Sequence, residues 1–418
     1  MKLYLPIPKH LIKVSFGIID QIILSGLNFL TAYFLIKTVT KIEYGYYNLF
    51  LPITLLFTAI QNAIINVPMM VLYFSKTDVE KKAYVSSLFY LQIYVLIPIL
   101  IFTLLIGSIL FYLSILSQNS FFLYLSLIIA IIGLLSREFL RNYYFTIEKP
   151  KGAVKNDFSY LLLFLTFVGL SFFTIGINVS LVFLFIGLSA LISSIFRVCS
   201  IIQPYDILKI KSSIIENWIH GKWVLIGGLI AHIQNYSYIY LLGLFINAEI
   251  IGEISAAKLL LSPFALIAVG YSKTAIPRGN KLKNLKQVNK FFKEELMISV
   301  FILFFVFAYT VILYFTPIEF KSLILSANYI SSFKFIFWFA TSSALSFISQ
   351  AATNGLIVMT KFEAISKINF ITMIIVLGGA ATLINDFGIA GALSSVIFGQ
   401  TVSAILLWRL FIKAKNNH

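Results

Sequence analysis

Long apolar runs alternate with short polar gaps along the chain, and twelve of the runs are long enough to cross a bilayer as helices. They extend from Val14 to Ile36, Tyr46 to Phe74, Ala83 to Tyr112, Phe121 to Tyr144, Asn156 to Ile177 and Val179 to Ile202. The second six extend from Trp223 to Ile246, Ile251 to Ala275, Leu296 to Thr316, Ile330 to Met359, Ala364 to Ile384 and Ile389 to Ile412. Several exceed the hydrocarbon thickness, which predicts tilting or breaks. Pro52, Pro68, Pro98 and Pro263 fall inside runs and mark candidate kinks. The gaps leave no room for a large soluble domain. The expected fold class is an all-α integral membrane protein of about 12 transmembrane helices. The longest gaps, Gln203 to Lys222 and Lys273 to Glu295, predict loops on one side. The first lies at mid-chain and divides residues 1–210 from 211–418, two pseudo-symmetric six-helix bundles.

Composition agrees with the pattern. Of 418 residues, 60% are hydrophobic and 11% charged, against about 25% charged in an average soluble domain. The net charge of +16 would suggest nucleic acid in a soluble protein, but the positions of the charges exclude that partner. An even number of spans puts both termini on one side, and nearly all Lys and Arg sit in the gaps of that side. Lys37, Lys41 and Lys321 lie opposite, and Lys258 and Lys334 lie within runs. The positive-inside rule then makes both termini cytoplasmic. Attraction to anionic membrane lipids is a secondary consequence. The N-terminal run, preceded by Lys2, Lys9 and Lys13, is too long for a signal-peptide core and reads as a retained first helix.

Known chemistries leave little trace. The lone Cys199 excludes a disulfide within the chain, and no two histidines stand at metal-ligand spacing. Neither a phosphate-cradling glycine loop nor a nucleophile elbow occurs, so the expectation is no cofactor, no metal and no enzyme.

Short motifs at the ends of the runs add a resemblance. Lys41-Ile42-Glu43-Tyr44-Gly45-Tyr46-Tyr47 follows a first helix bearing Asp20-Gln21. Ile251-Gly252-Glu253-Ile254-Ser255-Ala256-Ala257-Lys258 opens the eighth helix, and Phe387-Gly388-Ile389-Ala390-Gly391-Ala392 opens the twelfth. Arg137 and Arg141 close the fourth, four residues apart. In order and spacing these resemble the polysaccharide-exporting branch of the MOP superfamily, the Wzx-like O-antigen flippases, over the whole chain. The resemblance implies translocation of an undecaprenyl-diphosphate-linked oligosaccharide from the inner to the outer leaflet of the bacterial inner membrane. It also implies alternating access, cation or proton coupling, and glycan polymerase and chain-length regulator partners. The drug-exporting branch shares the architecture, so a cation-coupled exporter of small amphipathic molecules remains an alternative. A membrane glycan polymerase or acyltransferase fits less well, because the external gaps are short and poor in charge.

Candidate site residues are the polar groups inside apolar runs. Asp20 lies roughly 10 Å beyond Lys13 along a helix, too deep for its short side chain to reach water. Buried acids of this kind often serve in ion or proton pathways, and a structural hydrogen bond is the plain alternative. His232 is a second candidate for proton or cation coupling, or an ordinary buried histidine. Gln21, Ser25 and Asn28 share a helix face, as do Thr58, Asn62 and Asn66. His232 with Asn235, and Ser346, Gln350, Thr353 and Asn354, form comparable stripes. Such neutral donors and acceptors suit a sugar-lined cavity, though polar residues also glue helices together in membranes. Under the resemblance, Lys258 would meet the diphosphate in the cavity, and Arg137 and Arg141 would collect it at the inner mouth. Interfacial anchoring is the alternative for all three.

Overall fold

A computed structural model describes residues 9–112, 118–204 and 207–416. The tail lysine Lys2, much of the gap after Tyr112, and His418 lie outside the described residues. The helices are α1 (Lys9–Thr38), α2 (Lys41–Ser75), α3 (Asp78–Tyr112), α4 (Gln118–Thr146), α5 (Pro150–Thr174) and α6 (Val179–Ile201). There follow α7 (Ile207–Phe245), α8 (Ala248–Asn284), α9 (Val288–Phe315), α10 (Ala327–Val358) and a 55-residue stretch, Phe362–Asn416. Gly388 breaks that last stretch at φ 56° and ψ −129°, a conformation that costs a side chain strain. Its two arms are α11 and α12. Ten of the stretches are long and apolar enough to cross a membrane; the more polar α7 and the break at Gly388 complete twelve long helices among the described residues, besides the short helix Ile318–Ile324. The protein is a multi-pass, all-α membrane protein.

Helix ends follow their sequence. Asn178 caps α6 by accepting from the Leu181 amide at 2.9 Å, and Asn247 caps α8 by accepting from Ile250 at 3.0 Å. Pro150 opens α5, where its missing N–H costs nothing. The helices extend beyond their apolar cores. Most of the predicted loop at Gln203 to Lys222 is the first part of α7, and of Lys273 to Glu295 only residues 285–287 are non-helical. Hydropathy marks the span that needs lipid. It does not mark where Lys- and Glu-rich helix formers carry the helix into water.

Two of the prolines leave carbonyls that side chains satisfy. Pro68 cannot donate to Ile64, and the Asn217 amide donates to that oxygen instead at 3.1 Å. Pro263 frees the Leu259 carbonyl, which accepts from the Ser262 hydroxyl at 2.7 Å. Just before Pro68, Asn62–Asn66 forms a π turn within α2. The π turn separates residues that an α-helix would align, leaving Asn62 exposed and Asn66 buried.

Packing gathers the helices into two compact units. Unit 1 contains α1 up to Thr31 together with Phe50–Leu229, and unit 2 contains Ala32–Leu49 together with the chain from Ile230. In unit 1, α4 and α6 approach backbone to backbone at Gly133 and Gly187, where a Cβ on either would overlap the other helix. In unit 2 the two glycine motifs meet. A Cβ on Gly45 would overlap the Ala248 carbonyl, and one on Gly252 would overlap the Lys41 carbonyl. Lys41 seals this contact at 2.7 Å from Glu253, which also accepts from Ser331 at 2.6 Å and lies 3.3 Å from Lys334.

Candidate functional site

Unit 1 holds a buried charge cluster drawn from α1, α4 and α5. Asp20 is wholly buried, and its Oδ2 accepts from Arg141 Nε at 2.8 Å, with Nη2 at 2.7 Å. Arg141 also donates to Glu138 at 3.2 Å, and Arg137 donates to the other Glu138 oxygen at 2.6 Å. Asp157, equally buried, stands 3.4 Å from Arg141 Nε and 3.8 Å from Arg137 Nε. The Arg137 guanidinium lies 4.4 Å from the Tyr160 ring centroid. From α6, Arg197 donates to Asn156 at 3.1 Å, next to Asp157. The cluster therefore contains one carboxylate more than its two guanidiniums can balance. Among the described residues Asp20 Oδ1 and Asp157 Oδ2 have no hydrogen-bond partner, so the arrangement has room for a proton.

This geometry joins residues that the sequence assigns to separate roles. Asp20, Arg137 and Arg141 form one network, with Asp157 and Glu138 as members. Asp157 is read from sequence only as the start of a helix, since it follows Asn156 at the edge of an apolar run. Gln21 donates to Ser25 at 3.1 Å, while Asn28 and Asn62 are exposed on unit 1. Gln61, absent from the sequence stripes, is fully buried and donates to Gln92 at 2.7 Å and to the Leu135 carbonyl at 2.6 Å.

Unit 2 is built differently. It encloses a cavity of about 290 Å³ lined by α7, α8, α10 and α12. Asn235, Lys258 and Gln350 all line it, together with Gln234, Ser346 and Gln400. Its apolar wall is aromatic, with Trp338, Phe339, Phe347, Phe264 and Tyr238. Lys258 donates to the Tyr238 hydroxyl at 3.1 Å and lies 5.8 Å from the Tyr236 ring centroid. Among the described residues it has no ion-pair partner. Three of the amides are anchored by hydrogen bonds. Gln234 donates to Thr372 at 3.1 Å, Gln400 to Ser346 at 3.1 Å, and Gln350 to Asn354 at 3.2 Å. Asn354 is wholly buried behind the wall and does not line the cavity. His232 is also buried, with its ring 4.8 Å from Tyr236 and its Nε2 without a partner. The cavity thus offers flat rings, neutral amides and hydroxyls, and one cation.

The backbone matches solved membrane transporters along nearly its whole length. A lipid II flippase MurJ in an inward closed conformation superposes at a TM-score of 0.72, with 14% identity over 97% of this chain and 90% of that one. An inward-facing multidrug-resistance MATE transporter of the MOP superfamily gives 0.68, with 14% identity over 97% and 96%. A Vibrio cholerae MATE transporter gives 0.59, with 14% identity over 96% and 95%. This is the MOP-superfamily transporter fold. No protein-family model and no curated protein sequence matches the chain. The kinship with the MOP fold is one of structure, carried by helix order and length. Within that fold the aromatic wall was invisible to sequence reasoning, because Trp338 or Phe264 on an apolar helix looks the same whether it faces lipid or a cavity.

Proposed function

We propose that the chain is a flippase that moves an undecaprenyl-diphosphate-linked oligosaccharide, an O-antigen or capsule repeat unit, from the inner to the outer leaflet of the bacterial inner membrane. The unit 2 cavity carries this reading. A sugar presents apolar C–H faces to stack on rings and hydroxyls that exchange hydrogen bonds with amides. A diphosphate presents negative charge, and Lys258 is an unpaired cation in the same cavity. Sugar and diphosphate cannot cross hydrocarbon unaided, because their polar groups would lose water without replacement. The cavity supplies that replacement while the polyprenyl tail stays in lipid, and alternating access opens it to each leaflet in turn.

In this reading Gln21, Asn28, Asn62, Asn66, Asn235, Gln350 and Asn354 are the polar groups of the sugar path, most directly Asn235 and Gln350. Asp20 and His232 take part in proton or cation coupling. Arg137 and Arg141 are held by carboxylates at rest, so a diphosphate reaching them would exchange for Asp20 or Glu138 rather than fill an empty site. Both termini lie in the cytoplasm, and a glycan polymerase and chain-length regulator take up the product. The named substrate of the MurJ neighbour, lipid II, is of the same lipid-linked class.

A second reading is an exporter of small amphipathic molecules, as in the MATE neighbours. The cavity lining disfavours cationic drugs, since it contains a lysine and no carboxylate. Expression in a flippase-deficient bacterium separates the two. Restored surface glycan supports the flippase, whereas drug resistance without glycan supports the exporter. Adjacent glycosyltransferase and sugar-nucleotide genes would support the first.

A further inference from the structure

Behind the cavity, toward the start of α9, unit 2 buries a carboxylate with no ion-pair partner among the described residues. Glu295 has no exposed surface, and neither of its side-chain oxygens meets a hydrogen-bond partner. It is read from sequence only as the last residue of a charged loop. Its polar neighbours are the Tyr271 hydroxyl on α8 and the Asn354 amide on α10. The Asn354 Nδ2 is itself buried and without a partner.

Among the described residues no cation pairs with Glu295. Arg278 on α8 is engaged by the adjacent Glu294, with two contacts of 2.6 Å. Lys415 on α12 lies 4.5 Å from the ring centroid of Phe292, one turn before Glu295. α10 presents the uncharged Asn354. An ionised carboxylate here would be a desolvated charge with no compensation, which costs several kcal/mol and is avoided by neutralisation. A metal ion is a poor neutraliser, because the groups turned toward the site are an N–H donor and a phenol. A proton suits both, since a neutral acid accepts from Asn354 through its carbonyl and keeps an O–H to donate.

The site connects to the cavity by two short paths. Gln350, on the cavity wall, donates to the Oδ1 of Asn354, whose Nδ2 is left for Glu295. Tyr271 packs at 5.7 Å against Phe347, another wall residue. We infer that Glu295 is a proton-binding site of unit 2, and that Asn354 relays its protonation state to Gln350 in the cavity wall. When water removes the proton, the O–H bond breaks and the carboxylate becomes a strong acceptor. The Asn354 amide turns toward it and ceases to hold Gln350 in place. Binding in the cavity and protonation of Glu295 then become two ends of one linkage, reciprocal by thermodynamic necessity.

The relay rests on the flippase reading only in taking the cavity as the substrate's, and the test does not use a substrate. Infrared absorption of the purified full-length protein in lipid nanodiscs, in water and in deuterium oxide, reads protonated carboxyl groups directly. At neutral pH the difference between wild type and Glu295→Gln should contain one protonated-carboxyl carbonyl band. That band should shift with deuterium and fade as the pH is raised. No such band in the difference overturns the proton site. Asn354→Leu should move the band, because the amide is its neighbour, and a band left unmoved overturns the relay. Glu295→Gln replaces a neutral acid by a neutral amide of the same shape, so it should fold with an unchanged melting temperature at neutral pH. A large fall in melting temperature there would show that the carboxylate was ionised and would also overturn the proposal. Each outcome stands whatever glycan the protein moves.

Discussion

Unit 1 and unit 2 solve the problem of polar groups inside a membrane in opposite ways. Unit 1 concentrates charge and pairs both of its cations, with Asp20, Asp157 and Glu138 closed around Arg137 and Arg141. Unit 2 keeps its cavity almost free of charge, and the two ionisable groups there, Lys258 within the cavity and Glu295 behind it, have no ion-pair partner among the described residues. A cluster with both cations paired resists rearrangement, because a guanidinium that leaves strands its carboxylates. A cation without an ion-pair partner, such as Lys258, meets an incoming anion without first giving up a carboxylate. The difference assigns the units different work, with unit 1 suited to holding a conformational state and unit 2 to receiving a ligand.

The contrast is open to attack at both ends. The largest expected effect is on stability in unit 1. Arg141→Ala should destabilise the protein by about 3–5 kcal/mol, since it leaves buried carboxylates without their cation. Chemical or thermal unfolding of the purified protein measures this. Asp20→Asn should cost less, and combining it with Arg141→Ala should recover part of the loss. If Arg141→Ala is neutral, the buried carboxylates do not depend on their cation.

In unit 2 the expected loss moves from stability to transport. Lys258→Ala should weaken binding of a diphosphate-linked glycan by about 2 kcal/mol, roughly thirtyfold, as for a charge-assisted hydrogen bond. Its unfolding free energy should stay within about 0.5 kcal/mol of wild type. Lys258→Arg should keep export in a complementation assay, and equal export by both variants would remove the lysine from the site. Trp338→Ala should cost about 1 kcal/mol of glycan affinity, roughly fivefold, with little effect on the lipid diphosphate alone. The smallest effects belong to Asn28→Ala and Asn62→Ala. Both residues are exposed on unit 1, so each should change stability by less than about 0.5 kcal/mol. A larger loss would make them glue between helices rather than lining of a hydrated surface.

The fold was highly legible in the sequence, and the reason is physical. Lipid allows few ways to satisfy a backbone, so an apolar run of the right length has essentially one outcome. The break between the last two helices was legible because Gly388 adopts a backbone that other residues avoid. The candidate site was legible only in part. Lys258, Asn235 and Gln350 stood out as polar residues in apolar runs, and they share one cavity. Asp157 and Glu295 escaped notice because each lies where an apolar run gives way to a polar segment, and an acid there looks solvated. The pairing of Asp20 with Arg141, 121 residues apart, is a tertiary fact that no local pattern carries.

The π turn at Asn62–Asn66 makes the reading frame of α2 itself a structural element. It accommodates one residue more than an α-helix needs, and such a residue acts as an insertion that the helix has absorbed without a loop. Gln61 on its near side and Asn66 on its far side are both buried. Deleting one residue from the turn would rotate one side against the other by about 100°, the angle of a single helical step. One of the two polar side chains would then leave the interior, or the Ile64 carbonyl would lose the bond from Asn217. A single codon thus sets which face α2 presents over its second half, and a lineage could change that face by losing or gaining one residue with no substitution at all.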